Sequence, residues 1–409
     1  MVNEHDMGSG PSALARHWAL DPAVTFLNHG SFGACPRPVL AAQQRWREQL
    51  EAEPVRFMVR ELEPALDAAR AALAAFVGAR AEDLVFVSNA TTAVSTVLAS
   101  LSFAPRDELL ATDHAYAACR NALDRTAQRT GARVVTVRVP FPLRDAEPFA
   151  AALLAAAGPR TKLALIDHVT SPTGLVLPVE RLVPALQARG VDVLVDGAHA
   201  PGMLPVNLSA LGAAYYTGNC HKWICAPKGA ALLHVRADRQ AGIRPLVTSH
   251  GATSKRTDRS RFQLEFDWTG TDDPTAALCV PEALTFLGGL LPGGWPALMD
   301  ANRALARRAR DSVCAALSVP PPAPDALLGS LAAVPLPDAP AGALPGPLGL
   351  DPLQETLFRD YRIEVPVTSW PAPPQRLIRV AAQAYNSAGQ YERLAAALRE
   401  LVPTRAAAS

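Results

Sequence analysis

Tyr215-Tyr216-Thr217-Gly218-Asn219-Cys220-His221-Lys222-Trp223-Ile224-Cys225-Ala226-Pro227-Lys228-Gly229 is the stretch on which the reading of this 409-residue chain turns. A short β-like run enters it, and at its centre a lysine stands between two ring-bearing residues. Only four of the 39 lysines and arginines are lysines (Lys162, Lys222, Lys228 and Lys255), so a lysine here is not background. A lysine amine can lose its proton and add to an aldehyde, which a guanidinium cannot do. The competing reading is a partly buried lysine whose stem packs on Trp223. The residues upstream decide between the two.

From Leu84 to Val235, β-branched runs alternate with helical patterns. The runs are Leu84–Ser88, Glu108–Thr112, Arg133–Val137, Lys162–His168, Val191–Asp196, Ala213–Thr217 and Ala230–Val235. That alternation predicts an α/β domain built on a mainly parallel sheet. In such sheets ligands sit beyond the carboxyl ends of the strands, so the residues following each run carry the information. After the first run, Ser88-Asn89-Ala90-Thr91-Thr92-Ala93 enters a helix. It reads either as a plain N-cap or as a cradle for an anion at the helix dipole. After the second comes Asp113-His114-Ala115-Tyr116, whose rings can stack on a flat ligand or pack against a loop. The Lys162–His168 run leads to the hydroxyl-bearing turn Thr170-Ser171-Pro172-Thr173-Gly174. Asp196 ends an apolar run and opens Asp196-Gly197-Ala198-His199-Ala200-Pro201-Gly202. A carboxylate there is costly unless a cation meets it, and an arginine or a protonated heterocycle would serve.

Anion cradle, aromatic, buried carboxylate with a histidine three residues on, and isolated lysine follow one another in order. Pyridoxal 5'-phosphate needs this set: a phosphate site, a ring stack, a partner for the pyridine nitrogen and a Schiff-base amine. Through D-G-A-H-A-P-G and T-G-N-C-H-K-W-x-x-x-P-K-G the sequence resembles the class V aminotransferase group of fold-type I pyridoxal-phosphate enzymes. Phe26-Leu27-Asn28-His29-Gly30-Ser31-Phe32-Gly33 and Arg379-Val380-Ala381-Ala382-Gln383-Ala384-Tyr385-Asn386 resemble its isopenicillin N epimerase and ergothioneine C–S lyase branch. The resemblance spans about residues 20–400. It implies Lys222 as the Schiff-base lysine, Asp196 on the pyridine nitrogen, His199 near the ring hydroxyl and Tyr116 stacked on the ring. It also implies Ala90, Thr91, Thr217 and His221 around the phosphate, with Thr170 and Ser171 among the cofactor contacts. In that group the active site lies at a homodimer interface, and the partner subunit would lend Gly270 and Thr271.

The remaining chain reads as follows. Residues 1–20 look like a loose leader, 21–285 like the large cofactor-binding domain and 286–409 like a small C-terminal α+β domain. Asn28, His29 and Ser31 are polar groups on a tight backbone, suited to lining a substrate pocket. Pro38–Glu51, Pro64–Val77, Pro274–Leu291, Trp295–Leu317 and Gln390–Leu401 predict helices. Ser330–Leu336, Arg362–Val367 and Arg376–Ala381 predict strands, the first inside a Pro/Gly/Ala-rich stretch from Val319 to Pro352. Arg236 to Asp267 is either a solvated loop or a flexible flap over the site. Arg379, in an apolar strand, needs a carboxylate. That is either an internal salt bridge or the carboxylate of an amino-acid substrate, with Tyr385 and Asn386 close by.

Composition sets wider bounds. A net charge of +1 gives no reason to invoke nucleic acid or an anionic membrane. No apolar run has membrane-spanning length, no signal peptide opens the chain, and the six cysteines lack metal-site spacing, which together predict a cytoplasmic protein with free thiols. The site chemistry is removal of a Cα proton, with Lys222 as base. Return of the proton to the other face is epimerisation, loss of a β-sulfur is C–S lysis, and protonation at the cofactor carbon is transamination. Epimerisation leads, with C–S lysis next, then transamination or a cofactor-binding protein without turnover. Persulfide transfer is disfavoured, because Val319 to Pro374 holds no cysteine.

Overall fold

In the computed structural model, which describes residues 10–340 and 349–402, the seven expected runs form one sheet. Its strands are β1 (Leu84–Val87), β2 (Glu108–Thr112), β3 (Arg133–Val137), β4 (Thr161–Asp167), β5 (Asp192–Asp196), β6 (Tyr215–Asn219) and β7 (Ala231–Val235). They lie in the order β1-β7-β6-β5-β4-β2-β3, and β7 alone runs against its neighbours. The helices that matter below are α1 (Arg37–Ala52), α2 (Leu62–Phe76), α3 (Ala90–Ser100), α4 (Ala117–Thr130), α5 (Val179–Gln187), α6 (Gly294–Leu317) and α7 (Ala388–Leu401).

Side-chain alternation along the central strands explains the layering. Leu163 and Leu165 of β4, with Leu194 of β5, pack with Val94 and Val97 of α3 and Leu123 of α4. Ala164 and Ile166, with Val193 and Val195, face the opposite way, toward Leu182, Val183 and Leu186 of α5. Both faces are covered, so the strands read as continuous apolar runs. Their carboxyl ends point to one edge, and Asp167, Asp196 and the Lys222 turn all gather there.

The C-terminal part carries β8 (Leu331–Leu336), β9 (Val367–Ser369) and β10 (Arg376–Ala381), an antiparallel sheet in the order β9-β10-β8. Val334 and Val380 pack with Val313 of α6 and Leu398 of α7. Arg362–Val367 is not one strand. Ile363–Glu364 pairs in parallel with Thr25–Phe26, and the antiparallel ladder starts only at Val367, after Pro366, which has no N–H to donate. The expected helix Pro274–Leu291 is likewise divided, into Thr275–Leu278 and Val280–Gly288. Pro281 would clash with the Ala277 carbonyl in a continuous helix, so the break falls at Cys279.

Two further expectations are corrected. The described part of the leader, from residue 10 on, is packed rather than loose. Trp18 is buried, its indole donates to Ala34 O at 3.1 Å, and Ser12 N donates to Tyr385 O at 3.0 Å. An apolar ring that large has a surface to bury, and Tyr385 meets it edge-on at 5.2 Å. Residues 1–9 lie outside the described residues, as does 341–348 of the Pro/Gly/Ala-rich stretch. Arg236 to Asp267 is neither a bare solvated loop nor slack. It folds into three short helical turns, and Arg256 and Arg259 tie it to Glu63 and Asp67 of α2.

Candidate active site

Lys222 stands just past the end of β6, and its backbone is held from three sides. His29 Nε2 donates to the Lys222 carbonyl at 3.0 Å. Gly33 (φ +70°) and Gly202 (φ +86°) press against the turn, where an added Cβ would meet the backbone of His221 and Trp223 respectively. The Phe26–Gly33 loop and the Asp196–Gly202 loop thus form the two walls of the lysine turn. His29 is buried, and its Nδ1 accepts from Tyr385 Oη at 2.9 Å. Asn28 is buried too, its amide donating to Glu364 Oε1 at 3.1 Å and its oxygen accepting from Ser31 Oγ at 2.6 Å. Asn28, His29 and Tyr385, expected to line a substrate pocket, therefore stand behind its wall. They are committed to one another and to the lysine backbone.

In front of that wall is a cavity of about 360 Å³ at the strand ends, lined by Lys222, Asp196, His199, Tyr116 and Ser171 among others. Lys222 Nζ lies 3.0 Å from His199 Nε2, and the Trp223 indole N–H donates to His199 Nδ1 at 3.3 Å. An indole can only donate, so Nδ1 accepts and the one proton of neutral His199 sits on Nε2. His199 then donates to Lys222, which must be a neutral amine to accept. Burial, reinforced by the Arg379 charge, brings the Lys222 amine down to about 7, and burial with the Lys222 charge holds His199 well below its ordinary range. The indole N–H thus orients the histidine that stands against the lysine.

Asp196 is buried at the floor, Oδ1 accepting from Ala198 N at 3.0 Å and Oδ2 from Cys119 Sγ at 3.2 Å. It has no arginine partner among the described residues, so of the two cations weighed from sequence the protonated heterocycle is left open. At the rim, Asn89 caps α3 by accepting from Thr92 N at 2.8 Å, and Ala90 and Thr91 line the cavity. The plain N-cap is therefore present. Asn219, which the sequence reading passed over, occupies the Ala90 N–H at 2.9 Å. His221 lines the same end, Nδ1 donating to Ala230 O at 3.0 Å, and burial lowers it to about 4. Thr217 and Thr170, expected at the cofactor, are turned away. The Thr217 hydroxyl donates to Leu232 O at 2.8 Å, and Thr170 Oγ1 accepts from Leu175 N at 2.9 Å within its own turn. Tyr116 begins α4 on the cavity wall with 46% of its surface exposed. Gly270 and Thr271 are not brought to the cavity by their own chain; Gly270 lines a neighbouring groove with Ser88 and Gly229.

Arg379 is buried, and its partners are neutral. Nη1 donates to Ser171 O at 2.6 Å and Nη2 to Ser31 Oγ at 3.0 Å, while Nε has no partner. Burial lowers the guanidinium only to about 10, so it is a cation at neutral pH. No internal salt bridge reaches it among the described residues. The site thus combines a neutral amine, a buried carboxylate, a helix N-terminus with a nearby histidine, and an uncompensated guanidinium. Besides Asn219, the sequence reading missed Asp167, which lies on the floor beside Asp196, and Cys119. The argument applied to Asp196 would have found Asp167, whereas nothing in a helical run marks Cys119.

Comparison with known proteins agrees with this geometry. A model of the family described as aminotransferase class-V matches residues 27–290. A protein of Amycolatopsis lactamdurans named isopenicillin N epimerase is 38% identical over 94% of this chain and 96% of its own length. A putative L-cysteine desulfhydrase of Oryza sativa subsp. japonica is 32% identical over 93% of this chain and 84% of its own. Among solved structures, a cystine C–S lyase in complex with its reaction product cysteine persulfide shares the fold at a TM-score of 0.77. It is 23% identical and matches over 93% of this chain and 98% of that one. The strand order, the lysine turn and these relatives lead to one conclusion: the chain belongs to the aminotransferase class-V family, enzymes that work with pyridoxal phosphate on the fold-type I architecture.

Proposed function

We propose that this enzyme removes the Cα proton of an amino-acid substrate and returns one on the opposite face, an epimerisation like that for which its Amycolatopsis relative is named. The observation that carries the reading is Arg379, a buried cation with only neutral partners whose charge acts on the Lys222 amine. A buried guanidinium without an anion is costly, and the α-carboxylate of an amino acid would satisfy it.

The residues fit the cofactor. Lys222 offers a neutral amine, Asp196 a carboxyl with no arginine partner among the described residues, and the α3 N-terminus with Thr91 and His221 a place for the phosphate. When bound, pyridoxal phosphate supplies an aldehyde that joins to amines and a ring that takes up the electrons left on Cα. Lys222 would be the base for the Cα proton, and its value near 7 matches that task. His199 Nε2–H orients it. Asp196 would hold a proton on the ring nitrogen, and Arg379 with Ser31 and Ser171 would hold the substrate carboxylate.

C–S lysis of a cysteine S-conjugate is the second reading, favoured by the desulfhydrase relative. All six cysteines are buried, so a released sulfur would leave the site rather than pass to a protein thiol. Those free thiols suit a reducing cytoplasm. We further propose a homodimer, in which Gly270 and Thr271 of each chain complete the other's site. The test is an amino-acid screen, S-conjugated cysteines included, recording solvent deuterium at Cα and pyruvate release. Deuterium without pyruvate establishes the epimerase; pyruvate replaces it with the lyase. Neither product from any amino acid overturns both.

A further inference from the structure

Asp167 is the last residue of β4 and pairs in register with Asp196, the last residue of β5. Neighbouring strands lie about 4.8 Å apart, and paired residues project from the same face. The two carboxyls continue the file of Leu163, Leu165 and Leu194, on the side of the sheet covered by α4. Both are 3% exposed and both line the cavity floor. Their surroundings differ. Both Asp196 oxygens accept hydrogen bonds, from Ala198 N and Cys119 Sγ, whereas Asp167 Oδ2 is buried without a partner. Cys119 of α4 and Lys222 stand near the pair, as does Tyr216 from β6 beside Asp196. None of them forms an ion pair with Asp167 among the described residues.

Two adjacent buried carboxyls cannot both ionise without a cation. The proton belongs on the member whose oxygen accepts nothing, and burial together with the Asp196 charge pushes Asp167 well above the carboxylate range. We propose that Asp167 and Asp196 form a one-proton dyad at the cofactor ring, with Asp167 the acid member that fixes the negative charge on Asp196. Asp167 is thus a positioning residue: it sets where the ring's counter-charge sits. This rests on the cofactor reading above.

The dyad makes a prediction that independent carboxyls do not. In Asp196→Asn no neighbouring charge opposes ionisation of Asp167, which then becomes the carboxylate facing the ring. Pyridoxal phosphate is titrated into apoprotein, followed by absorbance, for wild type, Asp167→Asn, Asp196→Asn and the double variant. Asp167→Asn should weaken binding about threefold alone and tenfold or more in the Asp196→Asn background, the non-additivity of coupled neighbours. Equal factors in both backgrounds overturn the dyad, even if Asp167→Asn also melts earlier. A second arm needs neither cofactor nor a well-folded double variant. Infrared spectra of wild-type apoprotein at neutral pH should contain a protonated-carboxyl band that moves with ¹³C-aspartate and is lost in Asp167→Asn. Absence of a band that depends on Asp167 overturns the proposal. Wild type that takes up no pyridoxal phosphate sinks the cofactor reading instead, and the infrared arm still decides the proton.

Discussion

Two basic groups, Lys222 and Arg379, share one buried place, and burial acts on the amine far more than on the guanidinium's charge at neutral pH. Burial, with the charge that Arg379 keeps up to about 10, brings the Lys222 amine down to about 7. Only the neutral amine adds to an aldehyde, so capture of pyridoxal phosphate by apoprotein should accelerate as pH rises through about 7 and then level off. An ordinary lysine would keep accelerating toward its usual value near ~10.4. Stopped-flow absorbance from pH 6 to 10 checks this, with borohydride trapping to place the adduct. A rate still climbing at the alkaline end, or an adduct on Lys228, removes Lys222 from the role. Asp196 and Arg379 separate by what each loss takes away. Asp196→Ala should cut kcat by orders of magnitude for every substrate, because the ring loses the group that holds its proton. Arg379→Ala should spare the cofactor spectrum and cost about 2–5 kcal/mol in kcat/KM, the worth of a desolvated charge contact. A normal kcat in Asp196→Ala alongside cofactor loss in Arg379→Ala would reverse both assignments.

The elements around the lysine turn were legible unevenly, for physical reasons. The seven strands could be read because each ends at a turn signal and the central ones are buried on both faces, although the edge strand Arg133–Val137 is largely open. What sequence could not show is which polar residues face the cavity. Asn28, His29 and Ser31 are neighbours in the chain, yet one helical turn, His29–Phe32, sends His29 behind the lysine while Ser31 stays on the lining. Thr170 and Ser171 part in the same way, one hydroxyl closing a turn and the other receiving Arg379. The long helix expected from Pro274 broke because Pro281 weighs more than the apolar pattern running through it. Glycine at the walls gives this scale its test. Gly33→Ala forces a left-handed backbone, about 1–2 kcal/mol, and drives a methyl into the His221 carbonyl. Gly190→Ala has a similar φ of +78° but open space around the new methyl. Both should lower Tm, and only Gly33→Ala should also lose bound cofactor. Equal cofactor retention would mean that the wall does not position the turn.

At the scale of the whole molecule, the proposed homodimer has each chain complete the other's site. Gly270 and Thr271 sit beside the cavity rather than on it, at the end of a segment pinned by Arg70 and Arg259 through Asp267. The same side of the molecule exposes Val59, Leu246 and Val247, each more than half open. A pinned loop ending beside exposed apolar side chains is what a two-fold interface requires, since each patch then meets its own copy. Subunit mixing tests this directly. Lys222→Ala lacks the base, and Thr271→Asp sets a negative charge against the phosphate, so each variant alone should be inactive. In mixed dimers one of the two sites is intact, pairing Lys222 of one chain with Thr271 of the other. Random re-association of equal amounts should therefore recover roughly a quarter of wild-type activity. If Thr271 served its own chain's site, no mixed dimer would hold an intact one and mixing would recover nothing. Recovery that disappears on dilution, together with a halving of the mass in light scattering, would trace it to the interface.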